Sequence, residues 1–217
     1  PHVTITDHFI RKPAKKVDIA GVKKFIGLFA INEKNPDARI KAQAYINQYE
    51  KFDKNPALLD SAEKYLDTEA AYDNNLLIHF HFLKNNFQEI ISLTEQHKLV
   101  KRKGNPDNAW TFYRTAEAYQ NFGKLNEAFF YYNEAVKHTP YNLDFQNKLA
   151  GNLFNQNKSD EAKKIYEKII SENPNYPSAW SNLGFIYLQS GNASKAKEYY
   201  DKALALDPDY EQALLNK

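Results

Sequence analysis

Three prolines, Pro140, Pro174 and Pro208, stand 34 residues apart in the last third of the chain. A fixed period of that size marks a repeat array, in which each unit is one supersecondary element that buries its apolar face only against its neighbours. Alignment on the prolines puts Ala128, Ala162 and Ala196 in one column, then Tyr132, Tyr166 and Tyr200, then Ala135, Ile169 and Ala203. These columns follow one another at spacings of four and three residues, which return side chains to one face of an α-helix. Small, aromatic and small residues therefore line a packed helical stripe, and the fold class is all-α.

The last unit, Pro177 to Tyr210, carries Trp180, Leu183, Gly184 and Tyr187, then Gly191, then Ala196, Tyr200 and Ala203 before Pro208. Trp180, Leu183 and Tyr187 share a face, while Gly184 and Ala196 let two helices cross closely. Pro177 suits a first helical position, Gly191 and Asn192 suit a turn, and Pro208 stops the second helix. These residues resemble the tetratricopeptide repeat, whose pattern is W-x2-L-G-x2-Y, A-x3-F and P, with Tyr200 standing for Phe. The preceding unit, 143–176, keeps Leu149, Ala150, Ala162, Tyr166 and Pro174 but has Gln146 and Leu153 in the Trp and Tyr columns. Unit 109–142 keeps Tyr119, Gly123, Ala128, Tyr132, Ala135 and Pro140, with Phe112 and Ala116 in the Trp and Gly columns.

The resemblance implies a right-handed α-α superhelix, a solenoid of about five helical hairpins. Upstream of the three repeats the period is lost, but 38–100 reads as two divergent hairpins: Ala38 to Phe52 with Pro56 to Glu69, and Ala70 to Lys84 with Phe87 to Lys98. Asp53 to Asn55, and Asn85 with Asn86, read as their turns, and Lys101 to Asn108 as an irregular connection. Residues 1–37 have no helical stripe and read as an extended arm or linker, or the end of an upstream domain. Residues 211–217 read as the start of a capping helix or of a further repeat. Because the chain opens on Pro1, we expect a processed product or a piece of something larger.

Composition narrows the function classes. With 29 Lys and Arg against 27 Asp and Glu, the net charge is only +2, so nucleic acid is not an expected partner. Residues 1–40 nevertheless hold a basic excess through Arg11, Lys12, Lys15, Lys16, Lys23, Lys24, Lys34 and Arg39. There is no cysteine, which removes disulfides, thiolate metal sites and covalent haem attachment within this chain. No apolar run is long enough for membrane insertion. No G-x-S-x-G, P-loop or G-x-G-x-x-G motif is present, and the carboxylates fall on solvent faces beside lysines, so neither an enzyme nor a small-molecule substrate is expected. The basic cluster Lys98, Lys101, Arg102 and Lys103 lacks the interleaved aromatic residues that stack nucleic-acid bases.

Function is then expected on the concave wall, which in such arrays is built by the first helix of each hairpin and receives a protein or peptide. The repeat alignment places Trp110, Tyr113, Arg114, Glu117, Gln120 and Asn121 there from the first repeat. It adds Asn147, Lys148, Gly151, Asn152 and Asn155 from the second, and Ser178, Ser181, Asn182, Phe185, Leu188 and Gln189 from the third. Carboxamides carry donors and an acceptor and suit the main chain of an extended peptide. Tetratricopeptide proteins that clamp a chaperone's C-terminal carboxylate use Lys and Asn, then Asn, then Lys and Arg. The corresponding positions here are Tyr113, Glu117, Lys148, Ser178 and Asn182, so that clamp is absent.

The histidines do not form a metal site. His79 and His81 are two residues apart and diverge on a helix, and His97 and His138 lie near helix C-termini where an imidazolium is favoured. The segment PHVTITDHFIRKP resembles the stretch after the last haem motif in bacterial multihaem c-type cytochromes that end in tetratricopeptide repeats. That resemblance makes His2 and His8 axial-ligand candidates for a haem c held upstream, with no cofactor in this chain itself. It implies an alternative function, the C-terminal docking module of an electron-transfer protein, and a periplasmic or cell-envelope location. Without it, a cytoplasmic scaffold is the expectation.

Overall fold

The computed structural model describes residues 38–66, 74–97 and 106–216, and every regular element among them is an α-helix. The expected arm at 1–37, with His2 and His8, and the basic connection at 101–105 lie outside the described residues. Contacts divide the chain into two compact units, Pro1–Phe80 and His81–Lys217.

In the first unit, α1 (Ala38–Lys51) packs against α2 (Pro56–Glu63). Asn55 caps α2 by accepting from the Ala57 amide at 3.1 Å, and Pro56 fills the first helical position, where its missing N–H costs nothing. Ala42, Ala44, Ile46, Leu59 and Ala62 are buried, and Tyr45 stacks on Tyr65 with centroids 6.1 Å apart. α2 ends at Glu63, short of the expected Glu69. The next helix, α3 (Asn74–Leu83), carries the boundary between the units, and the expected start at Ala70 lies outside the described residues.

The second unit continues with α4 (Phe87–His97), α5 (Pro106–Asn121), α6 (Leu125–His138), α7 (Leu143–Asn155), α8 (Ser159–Glu172), α9 (Pro177–Gln189), α10 (Ala193–Leu206) and α11 (Glu211–Asn216). Helix α5 starts at Pro106, so part of the stretch read as an irregular connection is its first turn. Each second helix packs on its own first helix and on the first helix of the next hairpin: α6 on α5 and α7, α8 on α7 and α9, α10 on α9 and α11. The column residues Ala128, Tyr132, Ala135, Ala162, Tyr166, Ile169, Ala196, Tyr200 and Ala203 are all buried at these crossings.

The period is written into the backbone as well. Gly123, Asn157 and Gly191 have φ of 68°, 62° and 81° and end the first helices. The next amide in each case bonds back into the helix, Lys124 to the Tyr119 carbonyl at 3.0 Å, Lys158 to Leu153 at 2.9 Å and Asn192 to Tyr187 at 2.9 Å. This is a left-handed C-cap that satisfies orphan carbonyls. The turn between α3 and α4 is built the same way, with Asn85 at φ 57° and the Asn86 amide 2.8 Å from the His81 carbonyl. At the other end, Thr139, Asn173 and Asp207 leave the helical region at φ −135°, −142° and −140°, because the following proline ring disfavours the helical conformation.

Two columns explain their residue choices. A Cβ on Gly184 would lie 2.8 Å from the Tyr200 ring and 3.2 Å from the Ala196 carbonyl, so that crossing has no room for a side chain. Gln146, the apparent misfit in the Trp column, donates to the Pro140 carbonyl at 2.6 Å, as Trp180 Nε1 donates to Pro174 at 2.8 Å. The substitution keeps the bond that ties each first helix to the preceding proline.

Candidate partner-binding groove

The first helices α5, α7 and α9 carry the wall of a groove of about 630 Å³ in the second unit. Successive repeats contribute equivalent positions: Trp110, Asp144, Ser178 and Gln212 form one row, Tyr113 and Asn147 a second, Lys148 and Asn182 a third, Gly151 and Phe185 a fourth. Gln120, Phe154, Asn155 and Ile186 complete the helical wall, and Tyr166, Tyr176 and Tyr210 close it from α8 and from the segments leading into α9 and α11. Middle helix α7 supplies more of the lining than either neighbour.

Most of the expected wall residues are brought together here: Trp110, Tyr113, Gln120, Asn147, Lys148, Gly151, Asn155, Ser178, Asn182 and Phe185. Others stand apart from it. The Arg114 guanidinium lies over the Trp110 ring at 5.6 Å, and Leu188 packs with the Tyr200 cluster. Glu117 accepts from the Tyr132 hydroxyl at 2.5 Å and pairs with Lys148 at 3.1 Å. Asn121 and Gln189 are exposed near the C-terminal ends of their helices and do not line the groove.

Asn152 and Ser181 correct the sequence reading, since both are fully buried. Asn152 shares its column with Ala118 and Ile186, which are also buried. Its amide donates to Gln120 at 3.1 Å and its oxygen accepts from Gln156 at 2.8 Å, so it bridges hairpins instead of facing a ligand. A second carboxamide chain runs from Gln212 to Asn182 at 3.4 Å and from Asn182 to Asn147 at 2.9 Å. The carboxamides thus pair first with one another, while Asn182 retains a second amide hydrogen for other work.

The lining that sequence reasoning missed is Asp144, Phe154, Tyr166, Tyr176, Ile186, Tyr210 and Gln212. Asp144 and Gln212 share a row with Trp110 and Ser178, so the alignment held a signal for them. Tyr166 belongs to a packing column and is only 2% exposed. It reaches the groove because its neighbour is Gly151, whose absent side chain leaves the hydroxyl uncovered; a Cβ there would meet that oxygen at an ordinary 3.5 Å.

The electrostatics are those of a neutral surface. Asp144 and Lys148 are the charged lining residues; Asp144 accepts from the Tyr176 hydroxyl at 2.5 Å and Lys148 is engaged by Glu117. Burial pushes the hydroxyls of Tyr113, Tyr166 and Tyr176 well above the ordinary tyrosine range, so they remain protonated donors. Away from the groove, His79 pairs with Glu50 at 2.8 Å and His138 packs on Phe112 at 5.2 Å. Among the described residues, no group of three or more His, Cys, Asp or Glu side chains is placed to hold a metal ion. No described helix is long and apolar enough to cross a membrane.

Antiparallel hairpins in strict period, with small residues at the crossings and a groove along the first helices, form an all-α helical-repeat array in the second unit, a fold of the tetratricopeptide type. The tetratricopeptide-repeat family model matches residues 122–184 and, in an overlapping register, 153–217. The chain is similar to the Photosystem I assembly protein Ycf3 of Prochlorococcus marinus subsp. pastoris, 33% identical over 82 residues, which is 36% of this chain and 47% of that protein. It is also 33% identical over 93 residues to the protein of the same name from Synechococcus sp. (strain CC9605), 42% of this chain and 54% of that one. The chain therefore spans about half the length of the curated relatives it matches. Among solved structures, YrrB, a tetratricopeptide protein described with an unusual peptide-binding site, is similar at a TM-score of 0.60 and 19% identity, covering 98% of this chain and 96% of its own. MamA is similar at 0.55 and 18%, covering 90% and 98%. At these identities the structures show a shared fold.

Proposed function

We propose that this chain is a protein-interaction scaffold that holds an extended peptide segment of a partner protein in the groove across α5, α7 and α9. The observation that carries the reading is the groove's lining, to which three consecutive repeats each contribute aromatic rings and uncharged hydrogen-bonding groups. Rings such as Trp110, Phe154 and Phe185 offer apolar contact area, while Asn147, Asn155 and Asn182 offer donors and acceptors to a main chain. The likeness to assembly proteins supports a partner that is itself a subunit awaiting incorporation into a larger complex. The coupling of neighbouring hairpins by carboxamide bonds favours a wall that is formed before the ligand arrives, which lowers the cost of binding.

The experiment is selection of a randomised peptide library on the full chain, followed by binding measurements with Phe185→Ala and Asn155→Arg. Asn155 is exposed and its side chain is not in the core, so the arginine blocks the groove without unfolding it. Selected peptides should lose at least tenfold in affinity to both variants. Peptides that bind both variants as well as the parent chain place the site elsewhere.

A further inference from the structure

The three repeats treat one position differently. In the first, the Glu117 carboxylate lies over the column tyrosine, accepting from the Tyr132 hydroxyl at 2.5 Å, and the next repeat's Lys148 reaches it at 3.1 Å. In the third, Phe185 occupies the same column. In the second it is Gly151, and the Tyr166 hydroxyl has the Asn147 carbonyl at 3.5 Å, the far limit of a hydrogen bond. Moving one repeat along the array carries Tyr132 onto Tyr166 and Lys148 onto Asn182, with nothing in the place of the Glu117 side chain. The gap opens into the groove, since Gly151, Tyr166, Asn147 and Asn182 all line it.

We infer that this gap is a specificity subsite that accepts the side chain of a glutamine from the bound peptide, seated where the first repeat seats its own Glu117. The inference rests on the peptide-scaffold reading above and names what that groove selects. The choice of glutamine over glutamate follows from the partners. Lys148 neutralises Glu117, whereas its counterpart Asn182 is uncharged and the groove also carries the Asp144 carboxylate. A carboxylate would meet no cation in the place of Asn182, since Lys148 is already engaged by Glu117, and would enter a groove that carries the Asp144 charge, while a carboxamide accepts from the Tyr166 hydroxyl and finds a donor in Asn182. Burial keeps Tyr166 protonated across the physiological range, so the donor is always present.

Peptides enriched from the randomised library on the full chain should share a glutamine. In fluorescence anisotropy, replacing that glutamine by Glu or Ala should weaken binding about tenfold. Tyr166→Phe should weaken the Gln peptide but not its Ala counterpart. Asn182→Lys should reverse the order, making the Glu peptide the tighter ligand. Gly151→Ala should bind normally, and Gly151→Gln, which fills the gap with the chain's own carboxamide, should block binding while raising the melting temperature. Peptides that bind, are displaced by Asn155→Arg, and yet show neither a glutamine preference nor a reversal by Asn182→Lys overturn the subsite and leave the groove reading standing. A library from which the chain enriches nothing overturns both.

Discussion

At the scale of single residues, Gly151 and Gly184 have opposite uses, since Gly151 leaves space that opens into the groove and Gly184 closes a helix crossing. Gly184 is required by contact: the nearest atoms to an added Cβ are a tyrosine ring at 2.8 Å and a backbone carbonyl at 3.2 Å. Gly184→Ala gains helix propensity of about 1 kcal/mol but must push the ring and the carbonyl away, an overpacking cost of about 1–3 kcal/mol. Thermal denaturation should therefore show a lower melting temperature. Ala196→Leu, on the facing helix and 1% exposed, should be worse for the same reason. Asn152→Ala leaves Gln120 and Gln156 short of a buried partner and should cost about 1–3 kcal/mol in denaturant unfolding. Since Asn152 does not face the groove, peptide affinity per folded molecule should be unchanged.

At the scale of the element, the hairpin turn rests on one left-handed residue per repeat. Asn157 fills at φ 62° the place that Gly123 and Gly191 fill in the flanking repeats. Asn157→Ala should cost about 1 kcal/mol, because a Cβ in that region crowds the following carbonyl, and Asn157→Gly should be neutral or slightly stabilising. Equilibrium unfolding of the pair checks this directly. Helix pairing in the last three hairpins was legible because prolines, turn residues and small columns all recur with one period. The end of α2 was not, since that region lacks the columns and the helix ends on local capping instead, with the Lys64 amide on the Ala62 carbonyl. Gln146 shows how a column can look degenerate in letters and remain intact in chemistry, because it makes the bond to the proline carbonyl that Trp180 makes.

At the scale of the whole molecule, buried tyrosines link folding to alkaline pH. Burial pushes Tyr119 up to about 12, with nearby Tyr131 and Glu95 adding to it, and Tyr132 and Tyr166 are raised further. A group whose folded pKa lies above its unfolded value contributes stability that is complete below the unfolded pKa and fades as pH rises through the folded one. Stability should hold to about pH 10, where unfolded tyrosine ionises, and decline above it. Circular dichroism followed together with tyrosinate absorbance tests this: ionisation well ahead of helix loss would refute the burial argument. The expectation that the array is the C-terminal docking module of a multihaem cytochrome c is decided by the gene. It requires CxxCH motifs ahead of Pro1 and fails if there are none.

The amino-acid sequence by itself determined that the chain is helical, that its last three hairpins repeat, and which residues occupy equivalent places in them. Those are consequences of spacing, and spacing is visible in one dimension. Only the tertiary structure decided which equivalent places meet solvent. Asn152 and Asn155 are three residues apart on one helix, yet the first is buried between hairpins and the second lines the groove. The difference depends on the rotation of α7 against α5, α6 and α8, which the linear pattern does not carry. Likewise Tyr166 reads as core from its column and becomes part of the groove only because the helix beside it presents Gly151.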